Sequence, residues 1–181
     1  MARVPQITSK DQVPADKQHI FDDIAGSRGQ VRGPFSVLLH SPDIAGRAAH
    51  LGAYIRFDSI LPGPLRELMI CTAAREFDCQ FVWADHAPLA QQEGISEATL
   101  QVVAQRAPLD GLSTDEALVV RYGRELVRHH HVSEATFQAT QERFGVQGVT
   151  EFTAVLGYYG MLACALNAFE VTPDPGTPRL P

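Results

Sequence analysis

From Phe152 to Phe169 the chain reads FTAVLGYYGMLACALNAF, eighteen residues without a charge, closed by Glu151 and Glu170. That length lies at the lower edge of what crosses a bilayer. The stretch is rich in Ala, Gly, Tyr and Asn, stands alone, and has no Lys or Arg anchors at its ends, so a membrane span is not expected. A helix apolar all round is instead the central helix of a bundle or a face between subunits. Gly157, Gly160 and Ala163 recur every three residues and leave room for other helices to approach its backbone. No Val/Ile/Thr-rich alternating segment of strand length occurs anywhere, so the expected fold is all-α, a single-domain multi-helix bundle over residues 1–181.

At this length one core can bury roughly 70% of the unfolded surface. A 45% hydrophobic and 20% charged composition is enough to fill it. The net charge is -6, with 15 Lys+Arg against 21 Asp+Glu and no basic run. Neither nucleic acid nor an anionic membrane surface is therefore expected as a partner. Cys71, Cys79 and Cys164 are odd in number and form no CxxC pair, which excludes a disulfide framework and a zinc knuckle. A reducing compartment fits, and no export signal opens the chain, so a cytoplasmic location is expected.

Pro5 and Pro14 bracket an extended arm over residues 1–14. A short helix follows, with Ile20, Phe21 and Ile24 on one face and a stop at Gly26-Ser27-Arg28-Gly29. Further helices are expected from Pro42 to about Ser59, from Leu65 to Glu76 behind Pro64, and from Cys79 to Glu93, with Asp78 as N-cap and Gly94 as stop. Ser96-Glu97-Ala98-Thr99 recurs as Ser133-Glu134-Ala135-Thr136, 37 positions on. Each serine can cap a helix, with Ile95 stapling onto Leu100 and Val132 onto Phe137. Ser113-Thr114-Asp115-Glu116 is a capping box for a helix between them. Residues 172–181 form a Pro-rich extended tail.

Chemistry concentrates in Asp78-Cys79-Gln80-Phe81-Val82-Trp83-Ala84-Asp85-His86. At 100° per residue Cys79, Trp83 and His86 share one helical face. In the first turn, free N–H groups and the helix dipole favour a Cys79 thiolate. His86, two turns further in, can act as acid or base near pH 7. Asp85 points off that face, towards solvent. His129-His130-His131 fan 100° apart, do not chelate together, and read as a solvated helix end, so no metal is expected. His40 and His50 are lone histidines, and His40 precedes a turn that is a candidate lid.

Arg66-Glu67-Leu68, Cys79-Gln80-Phe81-Val82-Trp83, His86 and Gly94-Ile95-Ser96, with Leu156-Gly157-Tyr158-Tyr159-Gly160 and Leu166-Asn167-Ala168-Phe169, resemble the carboxymuconolactone decarboxylase family. That family also holds the alkyl hydroperoxidase D-like proteins. Arg28-Gly29, Gly33-Pro34-Phe35 and His40-Ser41-Pro42 resemble the front half of its longer, uncharacterised members. The resemblance implies an all-α fold assembled as trimers or hexamers, with sites near subunit contacts. In the peroxidase branch it places a proton-relay glutamate at Glu67, thiols at positions 79 and 82, and a histidine at His86. Position 82 is valine here, so the two-thiol cycle lacks its second sulfur, and the glutamate that the decarboxylase branch commonly carries at this position is also absent.

What remains is His86 as general acid/base, Glu67 as its orienting partner, Cys79 as a polar site residue, and Trp83 as an apolar wall. Arg56, Arg66 or Arg32 would clamp a substrate carboxylate, and His40 would contact substrate from the lid. The activity implied is that of a cofactor-free, decarboxylase-like lyase acting on a small lactone or aromatic acid. The alternatives are a single-cysteine peroxidase at Cys79 and a non-catalytic oligomeric binding protein. Cys71 and Cys164 are expected to be packing residues.

Overall fold

The computed structural model of the chain describes residues 2–181 and holds eight α-helices, with no strand among those residues. Two compact units divide it. One comprises residues up to Ser59 with Met161–Thr172, the other Ile60–Gly160 with Pro173–Pro181.

The first unit opens with the arm, where the expected extended run is broken by a 3-10 turn over Lys10–Gln12. The amides of Thr8 and Ser9 both donate to Gln12 Oε1, which makes the turn locally self-sufficient. Helices α1 (Gln18–Arg28), α2 (Pro34–Leu38) and α3 (Pro42–Ala53) follow. The α1 helix ends where expected, Gly29 taking a φ of 78°. Ile20 and Ile24 of α1 and Ala45, Ala48 and Ala49 of α3 are buried. The arm is tied down by Ile7 N–H donating to the Ser36 carbonyl at 2.8 Å, and Ser36 is fully buried. Beyond Ala53 the helix widens into a π turn, Tyr54–Asp58, so the α-helix stops short of Ser59.

In the second unit α4 (Gly63–Glu76) is the centre, with Leu65 and every residue from Glu67 to Ala74 buried. Helices α5 (Gln80–Gln92), α6 (Glu97–Ala104) and α7 (Thr114–His129) pack against it. Helix α7 comes close to α4 at Gly123, where an added Cβ would lie 2.8 Å from Thr72 Cγ2 and 3.1 Å from Met69 Sδ. Only Phe77, Asp78 and Cys79 separate α4 from α5. The N-cap is Cys79 rather than Asp78, because Asp78 has a φ of 48° where an N-cap needs extended backbone. The Asp78 carboxylate is engaged elsewhere, by Arg75 and by Arg106 Nη2 at 3.0 Å. Arg106 also has left-handed backbone, with a φ of 53°. Beside this turn the buried Glu76 carboxylate accepts two hydrogen bonds from Arg128, each 2.6 Å.

The repeated Ser-Glu-Ala-Thr segments have the same use in both places. Ser96 accepts from the Thr99 amide at 3.0 Å, and Thr99 Oγ1 donates to Glu116 Oε1 at 3.0 Å. Ser133 and Thr136 repeat the arrangement at the head of α8, with Thr136 Oγ1 donating to Glu125 Oε1 at 2.9 Å. Both glutamates belong to α7, so this one helix secures the start of α6 from its first turn and the start of α8 from its fourth. Burial pushes the Glu116 and Glu125 carboxyls up, and hydrogen bonds from Ser113, Thr99, Ser133 and Thr136 outweigh it, leaving both below the ordinary value. Ile95 and Leu100 are buried as the staple expects, but Phe137 is 39% exposed and lines a shallow apolar cleft of about 470 Å³ with Tyr122 and Val146.

The helix expected to begin at Ser133 and the uncharged stretch are one element, α8 (Glu134–Ala168), interrupted at Gly145, whose φ of 71° and ψ of 173° leave the helical region. By length and composition α8 is long and apolar enough to cross a membrane, yet 61% of its most apolar window is buried within the protein. Gly160 does admit a close neighbour, since an added Cβ would lie 2.9 Å from the Phe77 ring. Cys164 is exposed rather than packed, because it falls on the outer side of α8. The tail is not extended throughout, since it turns at Pro175–Gly176, where Thr177 Oγ1 donates to the Asp174 carbonyl at 2.7 Å. Its end is docked: Gln80 Nε2 donates to the Leu180 carbonyl at 3.1 Å, and the Leu180 amide returns to Gln80 Oε1 at 3.0 Å.

Two outcomes follow from this packing. Gly123→Ala is expected to lower unfolding stability by about 1–3 kcal/mol, measured by urea denaturation, because Thr72 and Met69 must move. Glu116 and Glu125 are depressed in the folded state, so their contribution is complete above the ordinary glutamate value, about 4.3, and is lost as pH falls through the folded one. Glu125→Gln is expected to cost about 1 kcal/mol at pH 7 and to flatten the acid limb of stability against pH.

Candidate active site

Helix α4 supplies Arg66 and Glu67, and α5 supplies Cys79 at its cap, then Val82, Trp83 and His86. Glu67 Oε2 lies 2.7 Å from His86 Nδ1, and the two side chains are 7% and 12% exposed. A carboxylate only accepts, so Nδ1 carries the proton and Nε2 of the neutral ring is left as the basic nitrogen. Arg66 Nε stands 3.9 Å from the other oxygen, Oε1, which places one cation beside one buried anion. The Tyr159 ring meets His86 edge to face, centroids 4.9 Å apart at 82°, and Tyr158 meets Tyr159 in the same way at 5.3 Å. The Tyr159 contact adds a second constraint on the imidazole plane beside the Glu67 bond.

Cys71 lies one turn after Glu67 on α4. Burial pushes its thiol well up, and the Glu67 charge adds to the effect, so it is a neutral packing group. Cys79 is fully buried at the cap of α5, one position before the first turn expected for it. Trp83 is 4% exposed, one helical turn before His86. Asp85 is half-buried and partnered rather than solvated. In the other unit, His40 Nε2 is 2.8 Å from the Pro5 carbonyl, and the Arg56 guanidinium lies 5.4 Å over the Phe57 ring. His129 to His131 are exposed at the end of α7. Among the described residues no group of three or more His, Cys, Asp or Glu side chains is arranged to hold a metal ion.

The cluster is therefore Arg66, Glu67, His86 and Tyr159, joined by one hydrogen bond, one ion pair and one ring contact. Tyr159 is the member that the helical spacing of Cys79, Trp83 and His86 does not reach; in the sequence it stands only within the Leu156-Gly157-Tyr158-Tyr159-Gly160 motif of the uncharged stretch. A histidine with one nitrogen on a buried carboxylate and the other available can take up and return a proton, the carboxylate stabilising the imidazolium between the two events.

An uncharacterised peroxidase-related protein from Ralstonia eutropha JMP134, described as an alkylhydroperoxidase AhpD core, superposes with a TM-score of 0.77 at 18% identity, over 96% of this chain and 93% of that one. The chain has the alkyl hydroperoxidase D fold. A second peroxidase-related protein, from Silicibacter sp. TM1040, matches with a TM-score of 0.73 at 14% identity, covering 96% and 94%. The debrominase Bmp8 matches at 0.72 and 12% identity, covering 93% and 92%. No protein-family profile matches the sequence, and no curated protein does. On this alkyl hydroperoxidase D scaffold the Glu67–His86 pair joins α4 to α5, the two helices with the most extensive mutual packing.

The Nδ1–H tautomer is open to measurement. Nitrogen-15 NMR of the neutral ring is expected to show a protonated, slowly exchanging Nδ1 at His86, and Glu67→Leu is expected to abolish that protection and mix the tautomers.

Proposed function

We propose that this chain is a cofactor-free lyase, decarboxylase-like, acting on a small lactone or aromatic acid by general acid/base catalysis at His86. The observation that carries the reading is the 2.7 Å bond between Glu67 and His86 in a largely buried setting. Loss of carbon dioxide leaves its electron pair on the substrate as an enolate. The His86 imidazolium delivers one proton to carbon, returns to the neutral ring, and is recharged by solvent, while Glu67 stays ionised. Trp83 and Tyr159 supply apolar surface for a ring. One structure of a Bmp8 variant holds 2,3,4-tribromopyrrole, a small aromatic ring on the same fold, which supports a substrate of this size. The protein works in the cytoplasm as a homo-oligomer, trimer or hexamer, consistent with exposed Met161 and Cys164 on an uncharged helix.

A second reading draws on the two neighbours described as peroxidase-related: a single-cysteine redox enzyme at Cys79. Full burial of Cys79 weighs against ready access of peroxide, and valine at 82 removes an adjacent resolving thiol.

Incubation with lactone and aromatic acids, followed by mass spectrometry, is expected to show loss of carbon dioxide. His86→Ala is expected to lower kcat by about 10²–10⁴-fold. Unchanged turnover in His86→Ala would remove the acid/base assignment. Sulfenic acid at Cys79 after dilute peroxide, without decarboxylation of any acid, would favour the redox reading.

A further inference from the structure

The geometry points to Arg66 as the specificity-determining residue of the site, the group that takes the carboxylate of the substrate and rejects its neutral counterpart. The inference rests on the acid/base reading of Glu67 and His86 and deepens it. Seven arginines in the second unit lie at or near its helices, and most are already committed. Arg128 is committed to Glu76, and Arg75 and Arg106 to Asp78. Arg124 donates to the Ala107 and Val102 carbonyls, and Arg143 to Asp115. Arg121 is exposed. Arg66 differs from all of them. Its side chain is only 15% exposed, its Nε is sealed from solvent as those of Arg75 and Arg124 are, and, unlike theirs, its guanidinium donates no hydrogen bond among the described residues.

A guanidinium has five N–H donors in a planar fork, and leaving them unmet in a desolvated place is unfavourable. Glu67 does not meet them, since 3.9 Å is an ion-pair distance beyond hydrogen-bond reach and its other oxygen is taken by His86. The unmet fork matches a carboxylate, which accepts two parallel N–H bonds. The location is equally specific: Arg66 adjoins Glu67 in sequence, and Glu67 holds His86, so an acid gripped by Arg66 is delivered beside the proton-transfer group. The other candidate clamps lack this combination. Arg56 stacks over Phe57, and Arg32 has a partner of its own.

The test compares benzoate with benzamide, two probes of one shape that differ in charge, by isothermal titration of the full-length protein. Wild type is expected to bind benzoate at least about tenfold more tightly than benzamide. Arg66→Gln is expected to lose about tenfold or more in benzoate affinity with benzamide unchanged, and Arg66→Lys to recover part of the loss, which also covers the case of a Gln variant that fails to fold. Equal affinity of wild type for the two probes, benzoate binding by Arg66→Gln at the wild-type level, or no benzoate binding by wild type up to roughly 10 mM would each overturn the assignment. His86→Ala separates this inference from the reading beneath it. Turnover that survives in that variant sinks the acid/base reading, while the benzoate-to-benzamide ratio still reports on Arg66 alone.

Discussion

A carboxylate on α4 is the constraint around which the second unit is arranged. From Glu67 to Ala74 every residue of that helix is buried, and an unpaired charge in such a place is expelled or neutralised. Here it has two neighbours of different kinds, a hydrogen-bonding imidazole on the next helix and a guanidinium on its own. The site exists because the core tolerates Glu67, and the core tolerates it because His86 arrives at 2.7 Å. Burying a pair of this sort adds little to stability relative to an apolar pair, so its presence is better accounted for by chemistry than by folding.

Local chemistry then explains why α5 arrives in register. Three residues join it to α4, and the middle one, Asp78, is held in left-handed backbone by arginines from both sides of the turn. Arg106 is itself left-handed, so two unfavourable conformations are held by one shared contact. The same economy appears in α7, where Glu116 and Glu125 accept from Thr99 and Thr136 and set the starts of two other helices.

Much of this is open to a reader of the sequence. Pro64, Gly29 and the capping box at Ser113 mark helix ends by backbone chemistry that is local, and the structure places ends there. Helical spacing puts His86 on the Cys79 face, and resemblance adds Glu67. What escapes is whatever depends on a partner distant in the chain. Asp78 reads as an N-cap until Arg106, 28 residues on, takes its carboxylate. Cys164 sits in an apolar run, and nothing local says that its side of α8 faces outward. Three arginines look equivalent as clamps, and only tertiary placement distinguishes Arg66. The second Ser-Glu-Ala-Thr segment is recognisable as a helix start, but its tie to Glu125 is not.

The brevity of the α4–α5 connection has a consequence for how such a chain can diverge. Asp78, in the middle of the Phe77–Cys79 link, is tied to Arg75 and Arg106, so an added residue must either break those contacts or move α5, and a 100° turn of α5 about its axis would carry His86 away from Glu67. The 12–18% identity to proteins of the same fold shows how far residues can be exchanged while the fold is kept. Length at this one turn has no such latitude. An insertion there that moved α5 would part Glu67 from His86 while leaving each helix intact.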